Sequence, residues 1–274
     1  MLSDAPEDRS LLSPLDLYCI CQTILFHDVG NLFGRKKHNQ TIYKVISDKF
    51  SNVFTNKREK NAIIQAGRAH TGKSSEGSDD TLKELSNTTY HISGEIVRLR
   101  DIATIVRFAD ELAEGPQRTC QYMLEEGLFP EANEIFHRYA SCTHLLIDPN
   151  NERISLHYEI ELETDTEDQL SSEQKDKLVK LLNFAYERID KLDQERKYAS
   201  YYCDLLKPIK KTVANFEFSL DGCCIGEKPT IILDDLVVPG TQSSIASGTY
   251  KELNADSLVE RIEQALISER EDNL

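Results

Sequence analysis

GRAHTGKS, residues 67–74, reads in two ways, and the two readings imply different folds. As Gly67-x-x-x-x-Gly72-Lys73-Ser74 it matches a phosphate-binding loop, which needs a buried strand before it and a helix after it. Read from its middle, it offers His70, an imidazole at the end of a helix where it can ligate a metal. The flanks decide between them. KREKNAIIQA, 57–66, has helical composition and few strong β-formers. EGSDDTLKEL, 76–85, is polar and acidic where the packed helix should start, and carboxylates there would repel a triphosphate. TIILDD, 230–235, does resemble an apolar strand ending in a magnesium-holding acid. The chain between does not alternate strands and helices as a parallel sheet requires. The helical reading is preferred, and the phosphate loop Gly67–Ser74 stands as the third alternative.

Working outward, Ser13 and Pro14 predict the start of a helix over 13–28, closing near Gly30-Asn31. Further helices are expected from His38 through Phe50, over 57–70, as a short piece in TLKEL (81–85), and over 95–113. In the last of these, Ile96, Leu99, Ile102, Ala103, Val106 and Ala109 form an apolar stripe beside which Asp110 lies. A carboxylate in such a place requires a partner or a metal. GKSSEGSDD, 72–80, reads as a loop. After about residue 140 the pattern changes. Two strands flank Pro149-Asn150-Asn151, a long helix spans 172–206, VANFEFSL and TIILDDLVV are strand-like, and NADSLVERIEQALI is a last helix. The expected fold is mainly α: a helical metal-binding domain over 1–140, then a smaller α+β region over 141–274 that includes the long helix.

FHDVGN (26–31), a His at the start of the next helix, a His after another, and RFADEL (107–112) resemble, as a set, the HD phosphohydrolase superfamily. HDVGNLFGRKKH with RFADELAEGPQR is most similar to a bacterial subgroup with an extended C-terminal region. The resemblance covers about residues 12–140. It implies an all-helical domain, one or two divalent ions (Mn, Fe or Mg) and hydrolysis of phosphoesters by a metal-activated water. Residue by residue, it makes His27, Asp28 and Asp110 metal ligands, with Asp28 bridging and catalytic. His38 and His70 become ligands of a second ion. Lys73 is the candidate for touching a substrate phosphate during reaction, with Arg35, Arg68, Arg107 and Arg118 as further phosphate-binding candidates. A nucleotide, either a triphosphate or a cyclic or linear diester, is the substrate the resemblance implies. The family's pattern has one more histidine on a helix upstream of the His-Asp pair, and residues 1–26 contain none. A truncated chain, a ligand from another subunit, or a degraded first site each accounts for this. The last makes the protein a nucleotide sensor or partner-binding subunit instead of an enzyme. Each residue also has an ordinary alternative: His27 and Asp28 as helix caps, His38 on the surface, His70 at a helix terminus, Asp110 paired with an arginine.

The remaining composition narrows the class. With 39% hydrophobic residues, 29% charged residues and no apolar run of membrane-spanning length, a soluble globular protein without a membrane partner is expected. A formal charge of −15 argues against duplex nucleic acid on a broad basic face, although a local site needs only a few Lys and Arg. Seven cysteines with no C-x-x-C pair read as reduced thiols in a cytoplasm, and Cys223-Cys224 as part of a loop. The helix over 172–206 is a candidate homo-oligomer surface.

Overall fold

The computed structural model describes residues 12–54, 56–71, 73, 77–164, 169–235, 245 and 250–272. Gly72 and Ser74 of the phosphate-loop reading, the first eleven residues and the end of the TIILDDLVV segment lie outside them. The described residues are mainly helical with a smaller α+β region. They fall into two units: one runs to Glu111 and includes Arg196–Pro208, and the other comprises Leu112–Glu195 and Ile209 onward. No helix among the described residues is long and apolar enough to cross a membrane.

The first unit is built from helix ends. Ser13 opens α1 (Pro14–Phe26) with a capping box: its hydroxyl accepts the Asp16 N–H, and the Asp16 carboxylate accepts the Ser13 N–H. The other oxygen of buried Asp16 accepts the Arg98 N–H at 2.9 Å. One carboxylate thus caps both α1 and the entry to α4 (Leu99–Leu112). Between them, α2 (His38–Lys49) and α3 (Lys57–Ala69) pack antiparallel, with Ile42 and Ile46 of α2 and Ile63 of α3 almost without solvent exposure. A second cluster joins Cys19 and Ile20 of α1, Ala62 and Ala66 of α3, and Ile102 and Val106 of α4.

Several expectations are corrected here. Residues 57–69 form α3, so Gly67 lies inside a helix and no strand precedes it. A Cβ on Gly67 would sit 3.2 Å from Ile42 Cδ1, which makes this glycine a packing residue. TIILD becomes β7 (Thr230–Asp234), an antiparallel partner of another strand. These facts remove the phosphate-loop reading. The amphipathic helix starts at Leu99 and not at 95, because β1 (His91–Ile92) and β2 (Glu95–Ile96) form a hairpin whose turn, Ser93-Gly94, takes φ of 53° and 93°. TLKEL is a turn, with Lys83 N–H donating to Asp80 Oδ1 and Leu82 N–H to the Tyr198 hydroxyl. Gly30 is not a helix terminator. α1 ends at Phe26, and Gly30 lies in a 3-10 turn (Val29–Phe33) where a Cβ would meet the His38 carbonyl oxygen at 1.9 Å.

In the second unit, α5 (Gln121–Glu125) and α6 (Glu131–Cys142) lead into a mixed sheet. β3 (Thr143–Asp148) pairs antiparallel with β4 (Arg153–Glu161), and β4 pairs parallel with β5 (Lys211–Leu220). β5 also pairs antiparallel with β6 (Cys223–Cys224) and β7. The β4–β5 connection runs through α7 (Ser172–Tyr202), the crossover that parallel pairing demands. Ile154, Leu156, Tyr158 and Ile160 alternate along β4 and are buried. Tyr158 stacks on Phe216 at 4.7 Å, and Tyr186 of α7 meets that ring edge-on. α7 ends at Tyr202, four residues before the expected end, and its segment Arg196–Tyr202 belongs to the first unit. α8 (Ala255–Asp272) closes the chain with Leu258, Val259, Ile262 and Leu266 buried.

The 1.9 Å approach at Gly30 sets a test. Gly30→Ala must move backbone and not merely a side chain, so it should cost on the order of 1–3 kcal/mol or more, read as a lower urea midpoint with an unchanged slope.

Candidate metal centre

Four helix ends bring the site together. His27 is the C-cap of α1 and Asp28 follows it. His38 is the first residue of α2, His70 the C-cap of α3, and Asp110 lies in the last turn of α4. Helix C-termini carry partial negative charge from unsatisfied carbonyls, so three of the four ends favour a cation between them.

The imidazoles share one local geometry. His27 Nδ1 faces the Ile24 carbonyl at 2.8 Å, His38 Nδ1 faces that of Arg35 at 2.9 Å, and His70 Nδ1 faces that of Gly67 at 2.5 Å. A carbonyl only accepts, so each Nδ1 carries a proton, and in the neutral form of the ring Nε2 keeps a lone pair. All three Nε2 atoms point inward. His38 Nε2 lies 3.0 Å from Asp28 Oδ1, His70 Nε2 3.6 Å from the same oxygen, and His27 Nε2 3.8 Å from both Asp28 Oδ2 and Asp110 Oδ1. His38 and His70 bring their Nε2 atoms to 3.3 Å of each other. Two lone pairs at that separation repel unless a proton or a cation lies with them.

His27, Asp28 and His70 each place a ligand atom within 4.8 Å of the others, a grouping that can hold a metal ion. The donor set is imidazole nitrogen and carboxylate oxygen without thiolate, which suits a hard or borderline divalent ion more than a soft one. The locked Nδ1 protons are the outer hydrogen bonds that metal-ligating histidines use to fix their tautomer. The residues fit a divalent ion. Asp28 and Asp110 are each about half-exposed, at 50% and 45% of their side chains, whereas His70 is buried, so the centre opens on its carboxylate side. Asp110 is therefore beside the apolar stripe and not within it.

Electrostatics follow the geometry. The His70 contact, reinforced by His27 and His38, holds Asp28 down at about 2 against a usual 3.8. Asp110 is lowered by His27, and His27 is raised chiefly by Asp110.

The expected phosphate-binding residues separate. Arg68 and Lys73 line a cleft of about 480 Å³ with Gln40, Gln65, Thr81 and Glu84, next in sequence to His38 and His70. Lys73 Nζ rests 3.1 Å from Asp79 in an exposed pair. Arg35 is exposed and supplies the carbonyl that orients His38. Arg107 is structural: its guanidinium donates to Thr81 Oγ1 and the Ala69 carbonyl and lies 4.8 Å from the Tyr198 ring centroid. Arg118 belongs to the second unit, where it donates to the Ala113 carbonyl and faces Glu114. Gln40 and Gln65 were not among the sequence candidates, since a glutamine on an exposed helix face carries no signal of its own.

A family model described as HD-CE matches residues 1–198. No curated protein and no solved structure matches the chain.

The pKa directions fix a pH window for the metal-free protein. His27 binds its proton more tightly when folded, so its contribution is full below the ordinary imidazole value of about 6.5 and is lost as pH rises through the raised value. Asp28 contributes fully above its usual 3.8 and loses that contribution as pH falls toward about 2. Imidazole NMR titration in EDTA should therefore show His27 above 6.5, and Asp110→Asn should bring it back down. An unchanged His27 in that variant would refute the pairing.

Proposed function

We propose that this chain, which belongs to the HD-CE family, is a divalent-metal-dependent phosphohydrolase acting on a nucleotide phosphoester. The observation that carries this reading is the convergence of three imidazole Nε2 lone pairs on the Asp28 carboxylate. His38, His70 and Asp28 would hold one ion, and His27, Asp110 and Asp28 a second, with Asp28 between them. Such an ion, when bound, makes a coordinated water acidic enough to attack a phosphoester near neutral pH and offsets charge on the phosphoryl oxygens.

The chain's own groups prepare that chemistry. Asp28 stays ionised across the neutral range, because the surrounding imidazoles favour its anion. The Nδ1–H bonds keep the three rings from turning their protonated edge inward. The open carboxylate side leaves room for substrate at Asp28 and Asp110. In the cleft lined by residues next to His38 and His70 in sequence, Arg68 would give a bidentate fork for a phosphate and Lys73 a point charge. Lys73 exchanges its exposed pair with Asp79 for a substrate phosphate at little cost, since such surface pairs contribute at most about 1 kcal/mol.

Two measurements test the reading. A nucleotide panel incubated with Mn²⁺ and separated by chromatography should yield products with the wild-type protein and none with Asp28→Ala, whose circular dichroism stays native. Turnover that survives Asp28→Ala would refute the mechanism. Mn²⁺ at about a hundred times its dissociation constant should stabilise the wild type by about 2.7 kcal/mol, and Asp28→Ala should lose most of that increment.

A further inference from the structure

Residues 29–70 hold six lysines and three arginines against only Asp48 and Glu59, a surplus of seven positive charges. The rest of the chain, in a protein of net charge −15, then carries a surplus of twenty-two negative charges. This basic segment starts directly after Asp28 and ends at His70, so it comprises α2, α3 and the loop that leads to them from the metal centre. Among the described residues, none of its nine cations forms an ion pair with a carboxylate, although the chain has carboxylates in excess. Cations left unpaired in an acidic protein, on the two helices that supply two metal-site histidines, form a surface prepared for a polyanion.

The surface also carries exposed rings. Phe33 and Tyr43 are about half-exposed. Lys44 Nζ lies 4.5 Å from the Phe33 centroid, and Lys60 Nζ lies 5.7 Å from that of Tyr43. One contact ties the loop to α2 and the other ties α2 to the start of α3, at neighbouring positions of α2. The same two helices supply Gln40, Gln65 and Arg68 to a cleft whose lining also holds Asn39 and Ala69, the sequence neighbours of His38 and His70. α3 alone is 13 residues, about 20 Å. A single nucleoside triphosphate would engage the cations of the cleft and leave Lys44, Lys57 and Lys60 unused. A strand with a phosphate on every residue and a base between phosphates would use the whole face, because backbone phosphates follow the lysines while bases stack on the rings.

We propose that the α2–α3 face binds single-stranded nucleic acid and leads one of its phosphodiesters to the metal centre. Delivery to the metal rests on the phosphohydrolase reading, whereas binding rests on the face alone.

The test separates the two. The full chain is titrated in EDTA against a fluorescein-labelled oligothymidylate of about ten nucleotides, within the usual site size, and anisotropy is read. A dissociation constant of about 1–100 µM at physiological salt is expected, with log–log salt dependence of about −0.7 per phosphate contacted. The Lys44→Glu/Lys60→Glu double variant should weaken binding at least about tenfold and flatten the salt slope, and Phe33→Ala should weaken it about fivefold or more. Both sets of changes lie on the surface, and matching thermal melts would show that the fold is kept. Equal binding by the charge-reversed variant, equal or tighter binding of a duplex of the same length, or displacement of the oligonucleotide by equimolar nucleoside triphosphate would each overturn the proposal. Oligonucleotide that binds as expected in EDTA but remains uncut with Mn²⁺ would uphold the face and count against the phosphohydrolase reading.

Discussion

The first unit depends on a conflict at its centre. Three imidazoles whose Nδ1 protons are committed to carbonyls turn their Nε2 atoms toward one another and toward a carboxylate, with two Nε2 atoms 3.3 Å apart. None of the rings can relieve this by flipping without giving up its Nδ1–H bond to a carbonyl three residues earlier. Those carbonyls belong to helix ends or to the turn before α2, so ring orientation is fixed by backbone and not by other side chains. A buried or half-buried donor set of this kind is costly in isolation and favourable around a positive ion. Asp110 favours the cationic form of His27 and so raises that ring's affinity for a proton.

The packing around the centre follows from that constraint. For the C-termini of α1 and α3 to reach the start of α2, the chain must turn sharply after Asp28, and Gly30 is the residue that lets the turn press against the His38 carbonyl. The same requirement places Gly67 against Ile42, one helical turn before His70. Asp16 fastens the far end of α1 to the entry of α4, so the helix that supplies His27 is tied to the one that supplies Asp110. Buried Thr81 accepts from Arg107 and donates to the Ala69 carbonyl, securing α3 at the residue before His70.

Much of this was legible in the sequence and some was not, for identifiable reasons. The helices carrying His27, His38 and His70 could be read because caps and apolar spacing are local signals, and Ser13 and Pro14 do in the structure what their chemistry implies. The sequence starts α4 four residues too early because Glu95 and Ile96 suit a helix, while a turn at Ser93-Gly94 commits them to a hairpin. TLKEL has helical composition, but Tyr198, more than a hundred residues away, claims the Leu82 N–H, and no local pattern encodes that. Arg107 looked like a phosphate ligand because a lone arginine carries no mark of its partner. The basic surplus of residues 29–70 was present in the letters throughout, masked by averaging over a chain of −15.

The loop that follows His70 shows how distant sequence enters the site. One end is fixed at the metal centre by His70. The other is held at Asp80, whose two carboxylate oxygens accept the hydroxyls of Tyr198 and Tyr202 at 2.8 and 2.7 Å. Both tyrosines come from the last turns of α7, a helix that begins in the second unit. Lys73 and its partner Asp79 lie between the two anchors. The two tyrosines thus give the end of α7 a part in placing the chain beside the site, because they hold Asp80 ten residues after His70.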